Sequence, residues 1–312
     1  MPLAGLSIGK RSALLLDKEN MTKYSISPMS SLYELYLRHP RIATDSRRIE
    51  PDSVFFALRG ASFDGNRFAA DALEKGAAYA VVDDPSLPNT RPDKADRLIV
   101  VDDALQTLQT LAREHRRELG LPILAITGSN GKTTTKELVS RVLAEKYEVY
   151  ATRGNLNNHI GVPLTLLAMT RDVEFGIVEM GASACGEIAL LCSIAEPNYG
   201  IVTNIGRAHL EGFGGPEGVR RGKGELYDGL ARTGGRVFVP ANDPVLMSMA
   251  AERETLAAEC YPTTLADGME HHLEGDYNRF NVAAAVAVGR YFGVDDERIR
   301  YAVGSYRPDN HR

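Results

Sequence analysis

A short apolar run, followed at once by a glycine-rich loop and a helical pattern, restricts the fold of this chain more than any other feature. Ile123-Leu-Ala-Ile126 is too short and too apolar for anything but a buried strand, and a helical pattern covers residues 132–146. Between them lies the loop Thr127-Gly-Ser-Asn-Gly-Lys-Thr133. In such a loop the backbone N–H groups and the helix N-terminus form a nest that binds anions. The sequence therefore predicts a phosphate site at the end of a buried strand.

Two side chains of this loop suit a nucleotide triphosphate. Lys132 would place a positive charge on the terminal phosphates, and the Thr133 hydroxyl is placed to hold magnesium. The strict Walker A pattern needs a glycine five residues before Gly131, where this sequence has Ile126, so the pattern is the shorter TGxxGKT type. A glycine-rich turn with a chance lysine is the plainer alternative, and the strand and helix in register speak against it.

Strand-like apolar runs alternate with helical patterns along the chain, which is typical of an α/β protein with mostly parallel sheets. The first series predicts strands at 53–58, 78–82 and 97–101 and helices at 68–75 and 105–119. The second predicts strands at 123–126, 149–152, 175–179, 199–203 and 236–239 and helices at 132–146, 186–195, 217–230 and 277–292. We therefore expect an extension at 1–28, a first domain at 29–120 and a second domain at 121–312, divided at the turn after Gly120.

Composition excludes several classes of function. The 312 residues carry a formal net charge of -5, so the chain has no global basic field of the kind that nucleic-acid binding requires. The longest apolar runs, such as 282–288, fall far short of the roughly 20 residues that a membrane span needs. The three cysteines form no CxxC pair, which fits a reducing compartment. We expect a cytoplasmic monomer.

Polar residues follow two further predicted strands, where the carboxyl edge of an α/β sheet forms its sites. Glu179 ends the strand at 175–179 and is the best candidate for a magnesium carboxylate, although a solvated strand-end carboxylate is the alternative. His209 follows the strand at 199–203 and could be either a site residue or a structural histidine. The asparagines at 155, 157 and 158 are either turn formers or ligand amides, and Lys223 by itself suggests a solvated basic helix face.

Together these segments resemble the Mur ligase family, most closely its members that add D-alanyl-D-alanine to UDP-N-acetylmuramoyl-tripeptide. The resemblance rests on the ordered segments Thr127-Gly-Ser-Asn-Gly-Lys-Thr-Thr-Thr135, Gly154-Asn-Leu-Asn-Asn-His-Ile-Gly161, Glu179-Met-Gly-Ala182, Thr203-Asn-Ile-Gly-Arg-Ala-His209 and Tyr277-Asn-Arg-Phe-Asn281. Thr44-Asp-Ser-Arg47 and Phe55-Phe-Ala-Leu-Arg-Gly60 resemble the part of these ligases that binds the uridine nucleotide.

The resemblance implies a small uridine-nucleotide-binding α/β domain followed by a P-loop domain that binds ATP and Mg²⁺. The family phosphorylates the peptide carboxylate with ATP and lets the amine of D-alanyl-D-alanine attack the acyl phosphate. The implied ATP contacts are Thr127, Gly128, Ser129, Asn130, Gly131, Lys132, Thr133, Thr134, Asn278, Asn281 and Arg312. The implied substrate contacts are Thr44, Asp45, Ser46, Arg47, Arg59, Asn157 and Asn158. The implied metal ligands are Thr133, Glu179 and His209. The implied catalytic residues are Lys132, Glu179, His209 and Lys223.

Two features of the resemblance carry separate expectations. Lys223 resembles a lysine that several of these ligases carry as a carbamate, which binds a second magnesium ion. These ligases typically have a third domain, which we expect to be absent here because the sequence stops at what resembles the hinge into it, near Arg312. Because domain closure excludes water and completes such sites, we expect little ligase turnover from this chain alone.

Three other functions compete with this interpretation. A related ligase, either one that adds a diamino acid or a folylpolyglutamate synthase, would share the nucleotide loop but not the asparagine-rich run at 154–165. A non-catalytic module would bind nucleotide or the UDP-linked peptide without turnover. A generic P-loop phosphotransferase would bind ATP without responding to uridine nucleotides.

Overall fold

Two all-parallel sheets form the framework of the protein, which is described here from a computed structural model covering residues 28–308. The smaller sheet has the strand order β1-β2-β3-β4 and the larger has the order β10-β9-β8-β5-β7-β6. The predicted α/β class with parallel sheets is confirmed. The predicted extension at 1–28 lies outside the described residues except for Pro28, and so does Arg312.

The strands of the smaller sheet all come from the first third of the chain. They are β1 (Ile42–Ala43), β2 (Val54–Phe56), β3 (Tyr79–Val82) and β4 (Leu98–Val100). The strands of the larger sheet are β5 (Ile123–Thr127), β6 (Val149–Ala151), β7 (Phe175–Glu179), β8 (Tyr199–Val202), β9 (Arg236–Pro240) and β10 (Ala257–Tyr261). The two sheets thus lie on either side of Gly120 in the sequence.

Helices connect and cover the strands. They are α1 (Pro28–Arg38), α2 (Ala69–Glu74), α3 (Leu87–Thr90), α4 (Ala104–Leu119), α5 (Lys132–Ala144), α6 (Gly161–Leu167), α7 (Glu187–Ala195), α8 (Leu210–Phe213), α9 (Pro216–Thr233), α10 (Pro244–Ala251), α11 (Asn278–Tyr291) and α12 (Asp296–Ser305). Short 3₁₀ turns lie at Gly65–Phe68, Pro92–Arg97 and Thr263–Ala266. Within residues 28–308, none of the helices is long and apolar enough to cross a membrane.

The central strand β5 is covered by helices on both faces, which explains its unbroken apolar sequence. Leu124 and Ile126 point into a core that they share with α5 and α11. Ile123 and Ala125 point into the opposite core, which α6, α7 and α9 supply. All five residues of β5 are buried, so the loop that follows it starts from a fixed point.

Helix α4 joins the two halves of the molecule. It packs against β2 of the smaller sheet and against α6 and α7 beside the larger one. Its Arg116 is buried and donates to the carbonyl oxygens of Ala195 and Glu196, where α7 ends. Because a buried guanidinium must be satisfied by acceptors, this contact fixes α4 against the second half of the chain.

A buried histidine on α4 completes this junction. His115 Nε2 lies 2.8 Å from the carbonyl oxygen of Met169, and its Nδ1 lies 3.1 Å from the Tyr33 hydroxyl of α1. Tyr36 packs edge-on to the ring and donates to the carbonyl oxygen of Leu167 at 2.6 Å. A neutral ring with its proton on Nε2 satisfies all of these partners. Burial lowers the pKa of His115 from its ordinary value, so the folded protein favours that neutral form.

We predict that protonation of His115 weakens the junction. Because the folded-state pKa is lowered, the stability contributed by this group is complete above pH ~6.5 and falls as the pH decreases below that value. Thermal unfolding followed between pH 8 and pH 5 should therefore show a steeper loss of stability for the wild type than for His115→Gln. The exposed His159→Gln is the control and should keep the wild-type slope. Equal slopes for all three proteins would contradict the prediction.

Candidate functional site

Three segments of the larger sheet meet at one edge. They are the loop 127–131 after β5, the end of β7 at Glu179, and residues 203–206 after β8. Strand β5 lies between β7 and β8, and the chain reaches these neighbours on opposite sides. In parallel sheets a crevice opens at such a switch point, beyond the carboxyl ends of the strands. The crevice is therefore where the candidate residues were predicted to converge.

The segment after β8 holds the glycine-rich loop in place. Asn204 accepts from the Ser129 N–H with its carbonyl oxygen at 3.1 Å and from the Asn130 N–H with its side-chain oxygen at 3.1 Å. Gly206 N–H donates to the Ser129 hydroxyl at 2.8 Å. Sequence reasoning missed Asn204, because an asparagine after a strand reads as a turn former. Its side chain instead fixes the conformation of the loop.

Two glycines of the loop occupy positions that other residues would not tolerate. Gly128 has φ +142°, and a Cβ atom there would lie 2.0 Å from Thr203 Oγ1. Gly131 has φ +78°, and its Cβ would lie 2.7 Å from Asn281 Oδ1. Both glycines are therefore required by backbone conformation and by close approach. The helix α5 begins at the next residue, Lys132, so its N-terminal N–H groups face the same crevice.

Lys132 adds a positive charge beside the loop. Its Nζ donates to the carbonyl oxygens of Gly128 and Ser129 at 2.8 and 3.2 Å. Burial lowers the pKa of Lys132, and the negative charge of Glu179 opposes that shift. The amine and the N-terminal N–H groups of α5 together form a site for an anion with several negative charges.

Glu179 is 2% exposed at the end of β7 and has ordered partners from three segments. Its Oε1 accepts from Asn157 Nδ2 at 2.9 Å and lies 3.4 Å from the Thr133 hydroxyl. Its backbone N–H donates to Thr152 Oγ1 at 2.9 Å. Among the described residues, Oε2 has no hydrogen-bond partner, although Lys136 Nζ lies 3.7 Å away. The alternative interpretation of Glu179 as a solvated strand-end carboxylate is therefore wrong.

These donors fit a hard divalent cation. The buried Glu179 carboxylate, whose Oε1 lies beside the Thr133 hydroxyl, and that hydroxyl itself are oxygen ligands of the kind that Mg²⁺ takes, usually with water and substrate phosphates completing the shell. Residues 28–308 contain no group of three His, Cys, Asp or Glu side chains arranged to hold a metal ion. The protein would thus supply Mg²⁺ with only a few ligands, chiefly Glu179 and Thr133, with the phosphates supplying others.

His209 lies across the crevice on a strained turn. It has φ +55°, which is uncommon for a residue with a side chain, and it is the N-cap residue immediately before α8. Its side chain helps line a cavity of about 390 Å³ together with Lys132, Asn157, Asn158 and Glu187. The structure brings His209 to the crevice but gives it no contact with Glu179 or Thr133. Its predicted role as a metal ligand stays a prediction, as do the assigned roles of the other site residues.

Lys223 is buried on α9, against the loop that follows β7. Its Nζ donates to the carbonyl oxygen of Ala182 at 3.2 Å and lies 5.1 Å from the centre of the Phe213 ring. Burial, reinforced by the charge of Lys132, lowers the pKa of Lys223 to about 8. Lys223 is 2% exposed, so the alternative of a solvated basic face is wrong.

The asparagines of α11 lie behind the loop rather than side by side at its mouth. Asn281 accepts from the Thr135 hydroxyl at 3.0 Å and donates to Asn278 Oδ1 at 2.7 Å, and Asn278 in turn donates to the carbonyl oxygen of Glu274. Only Asn281 of this pair lines a cavity of about 650 Å³, whose walls also include Asn130, Gly131, Thr203, Asn204, Asp243, Tyr277 and Phe280. Aromatic edges at Tyr277 and Phe280 make that cavity suitable for a planar ring.

The other predicted loop residues divide into structural and open positions. The hydroxyl of Thr127 is fully buried and donates to the carbonyl oxygen of Met180 at 2.7 Å, so this side chain ties β5 to the end of β7. Ser129, Thr133 and Thr134 are partly exposed. Arg312 lies outside the described residues.

The candidate substrate residues of the smaller sheet form a separate cavity of about 480 Å³. Its walls are Thr44, Asp45, Ser46, Arg47, Phe55, Leu58, Phe63, Gly65 and Phe68. Hydrogen bonds from Arg47 hold the pKa of Asp45 well below its ordinary value. Arg59 does not line this cavity, because its guanidinium donates to Asp83 at 2.8 Å. The predicted cluster is thus brought together except for Arg59.

Two family models match most of this framework. The model described as Mur ligase family, catalytic domain, matches residues 41–116, and the model described as Mur ligase middle domain matches residues 126–264. The first covers the smaller sheet and the second covers the glycine-rich loop, Glu179, His209 and Lys223.

Two curated relatives share one name. The UDP-N-acetylmuramoyl-tripeptide--D-alanyl-D-alanine ligase of Bacillus subtilis is 38% identical over 82% of this chain and 59% of the relative. The ligase of the same name from Escherichia coli is 38% identical over 62% of this chain and 41% of the relative. The chain therefore spans less than two thirds of the length of these relatives.

Solved structures agree with the relatives. MurF from Acinetobacter baumannii is 31% identical with a TM-score of 0.75, over 86% of this chain and 63% of that one. MurF from Thermotoga maritima, solved in complex with ADP, is 27% identical with a TM-score of 0.74, over 87% of this chain and 67% of that one. A UDP-N-acetylmuramoyl-L-alanyl-D-glutamate--2,6-diaminopimelate ligase, at 17% identity and a TM-score of 0.54, shares the fold alone.

Gly128 and Gly154 both have a positive φ, but only Gly128 also has a close neighbour, and this difference leads to a prediction. Gly128→Ala should destabilise the protein by more than about 3 kcal/mol, because the new Cβ meets Thr203 and the backbone must leave φ +142°. Gly154→Ala is the matched control, since φ is +56° but nothing lies within 4 Å of its Cβ. That variant should cost about 1 kcal/mol. Chemical unfolding measures both values, and equal losses would show that Thr203 does not constrain the loop.

Proposed function

The chain belongs to the Mur ligase family, and we propose that it binds and activates the substrates of an ATP-dependent ligase of peptidoglycan precursor synthesis. The proposed reaction joins D-alanyl-D-alanine to UDP-N-acetylmuramoyl-tripeptide by a C–N bond. The names of the relatives support this choice of substrates. The observation that carries it is the convergence of the anion loop, the buried Glu179 carboxylate and Lys223 at one sheet edge, facing the asparagines at 157 and 158.

We assign the two sheets different substrates. Residues 29–120 would bind the uridine nucleotide, in the cavity of Thr44 to Arg47, where the exposed Phe63 and Phe68 rings suit a base. Residues from 121 onward would bind ATP, with its phosphates on the loop and its base in the cavity beside Tyr277 and Phe280. The ADP complex of the Thermotoga maritima relative supports the ATP assignment.

The proposed chemistry proceeds in two balanced steps. A carboxylate oxygen of the peptide attacks the γ-phosphorus of ATP, ADP leaves, and an acyl phosphate forms. The amine of D-alanyl-D-alanine then attacks the acyl carbon, loses a proton, and inorganic phosphate leaves. Lys132 and the N-terminal N–H groups of α5 would stabilise charge on the phosphate oxygens by position and electrostatics. Magnesium, held through Glu179 and Thr133 with His209 nearby, would supply further positive charge to the phosphates.

The cavity of about 390 Å³ is the proposed meeting place of the peptide and the phosphate. Asn157, which lines this cavity, is held by two hydrogen bonds. Its Nδ2 donates to Glu179 Oε1, and its backbone carbonyl oxygen accepts from the Gly181 N–H at 2.7 Å. A Cβ at Gly181 would lie 2.9 Å from Asn157 Oδ1, so glycine is needed for this approach. Asn158 side-chain contacts fix the next turn, since its Oδ1 accepts from the N–H groups of Ile160 and Gly161. We propose that Asn157 contributes to the substrate site and that Asn158 mainly positions it.

The remaining assignments follow from this function. We propose a cytoplasmic location, where the nucleotide-linked precursors and ATP would be available, and a monomeric state. A ligase that adds a diamino acid and a folylpolyglutamate synthase remain the alternatives within the superfamily. A catalytically inert binding module and a phosphotransferase remain the alternatives outside it.

Ligand binding tests the proposal directly, because binding does not depend on turnover. This matters because the chain spans only 59% of the length of the Bacillus subtilis relative. Calorimetry should show binding of Mg²⁺–ATP and of UDP-N-acetylmuramoyl-tripeptide, with the tripeptide preferred over the corresponding dipeptide. Lys132→Met should weaken ATP binding about 10- to 100-fold, since a charge-assisted contact is lost. Lys146→Met, which changes an exposed lysine next to α5, should bind like the wild type.

Each alternative gives a different result. Preference for the UDP-linked dipeptide would favour a ligase that adds the diamino acid. ATP binding with no response to any UDP-linked peptide would favour a phosphotransferase. Binding of every ligand, with no ADP formed even in a single turnover with the enzyme in excess over ATP, would favour an inert module over a ligase that turns over slowly.

We also propose that Lys223 carries a carbamate that binds a second magnesium ion. Carbon dioxide reacts only with a neutral amine, and burial favours that form. With a pKa of about 8, about one tenth of the amine is neutral at pH 7, against less than about one thousandth for an ordinary lysine.

Labelling with ¹³C-bicarbonate tests the carbamate. The wild-type protein should show a carbamate carbon signal that Lys223→Arg lacks, and the signal should grow between pH 7 and pH 8.5 as the neutral amine becomes more abundant. Lys146→Met should keep the signal. Absence of any difference between the wild type and Lys223→Arg would refute the modification.

A further inference from the structure

A second buried lysine lies beside the Glu179 carboxylate. Lys136 is on α5, one helical turn after Lys132, and its side chain is 5% exposed. Its Nζ lies 3.7 Å from Glu179 Oε2, the oxygen that has no hydrogen-bond partner among residues 28–308. The sequence does not reveal this contact, because it joins a helix to the end of a strand that is distant in sequence.

The two oxygens of Glu179 therefore face different surroundings. Oε1 faces Asn157 and the Thr133 hydroxyl, on the side of the phosphate loop. Oε2 faces the interior and the ammonium group of Lys136. A fully buried carboxylate is strongly disfavoured unless an opposite charge or several donors compensate it, and the same holds for a buried ammonium group. Each of these two charges is thus the main compensation of the other.

We propose that Lys136 is a positioning residue for the reaction, acting through Glu179. It anchors Oε2, so that Oε1 is presented toward Thr133 and the loop as a single metal ligand. It also competes with the metal for the same negative charge, so that Mg²⁺ binds weakly until nucleotide phosphates add their own oxygens. Lys136 does not line the cavity of about 390 Å³ described above. The inference rests on the proposed function in one respect, that Glu179 is the metal ligand.

A space-filling role and a charge-compensating role of Lys136 predict different results for its variants. If Lys136 only filled space, methionine of similar length would replace it, and the charge of Glu179 would be irrelevant to the result. If Lys136 compensates Glu179, removing one charge must be worse than removing both. Charge compensation also predicts that Lys136→Arg keeps the stability that Lys136→Met loses.

A double-mutant cycle on the chain in EDTA tests the charge pair. Lys136→Met should lower the Tm by roughly 5–10 °C, because it leaves the Glu179 charge buried and unpaired. The double variant Lys136→Met/Glu179→Gln should recover at least about half of that loss. Lys146→Met combined with Glu179→Gln is the matched control and should be additive. Additive losses for Lys136→Met and Glu179→Gln would overturn the proposal.

A magnesium titration in the presence of ADP tests the competition. The Mg²⁺ concentration that gives half of the maximal Tm shift should fall about tenfold in Lys136→Met and stay within about threefold of wild type in Lys136→Arg. An unchanged midpoint in Lys136→Met, or equal midpoints in the Met and Arg variants, would overturn the positioning role. No response of the wild type to ADP and Mg²⁺ would count against the proposed function instead, while the EDTA cycle would still decide whether the charges are coupled.

Discussion

The arrangement of the crevice depends on the burial of one carboxylate. Glu179 is almost entirely removed from water at the end of β7, where an uncompensated negative charge would cost several kcal/mol. Its compensation comes from separate parts of the chain: Thr133 and Lys136 of α5, and Asn157 of the loop after β6. Because these groups must all reach the same two oxygens, the carboxylate fixes the relative positions of the phosphate loop and the asparagine-rich segment. Thr127, through its bond to Met180, adds a direct link between β5 and β7.

The sequence predicted the centre of the larger sheet better than its β10 edge, for a physical reason. Strands β5 and β7 are buried on both faces, so nearly every residue is apolar and the pattern is unambiguous. Strand β10 lies at an edge and alternates partly buried with exposed residues, including Glu259, and was missed. Helix α6 was missed as well, because it contains Pro163 and follows a run of asparagines that reads as a loop. Strand β1 has only two residues, which is too short for a detectable pattern.

Candidate site residues followed a similar rule. Glu179, Lys132 and His209 were predicted at this edge because each follows a recognisable strand, and the carboxyl ends of parallel strands share an edge; the structure brings all three to the crevice, and their roles stay predictions. Lys136, Asn204 and Asp243 were not found, since their importance depends on contacts between segments that are distant in sequence. Arg59 was predicted in the same cluster, but its guanidinium is paired with Asp83 and does not line the cavity, a contact that the sequence does not reveal; its substrate contact stays a prediction.

The charges around the crevice explain why it should receive an anion rather than a neutral ligand. Lys132 and Lys223 both have lowered pKa values, with burial as the main cause in each case. For Lys223, the positive charge of Lys132 adds to the shift, and the carboxylates of Glu187 and Glu225 only partly oppose it. The carboxylate of Glu225 is already used, because it accepts from the N–H groups of Gly186 and Ala189 at the start of α7. Polyphosphate bound at the loop would supply the missing negative charge, and Lys132 would then hold its proton more firmly.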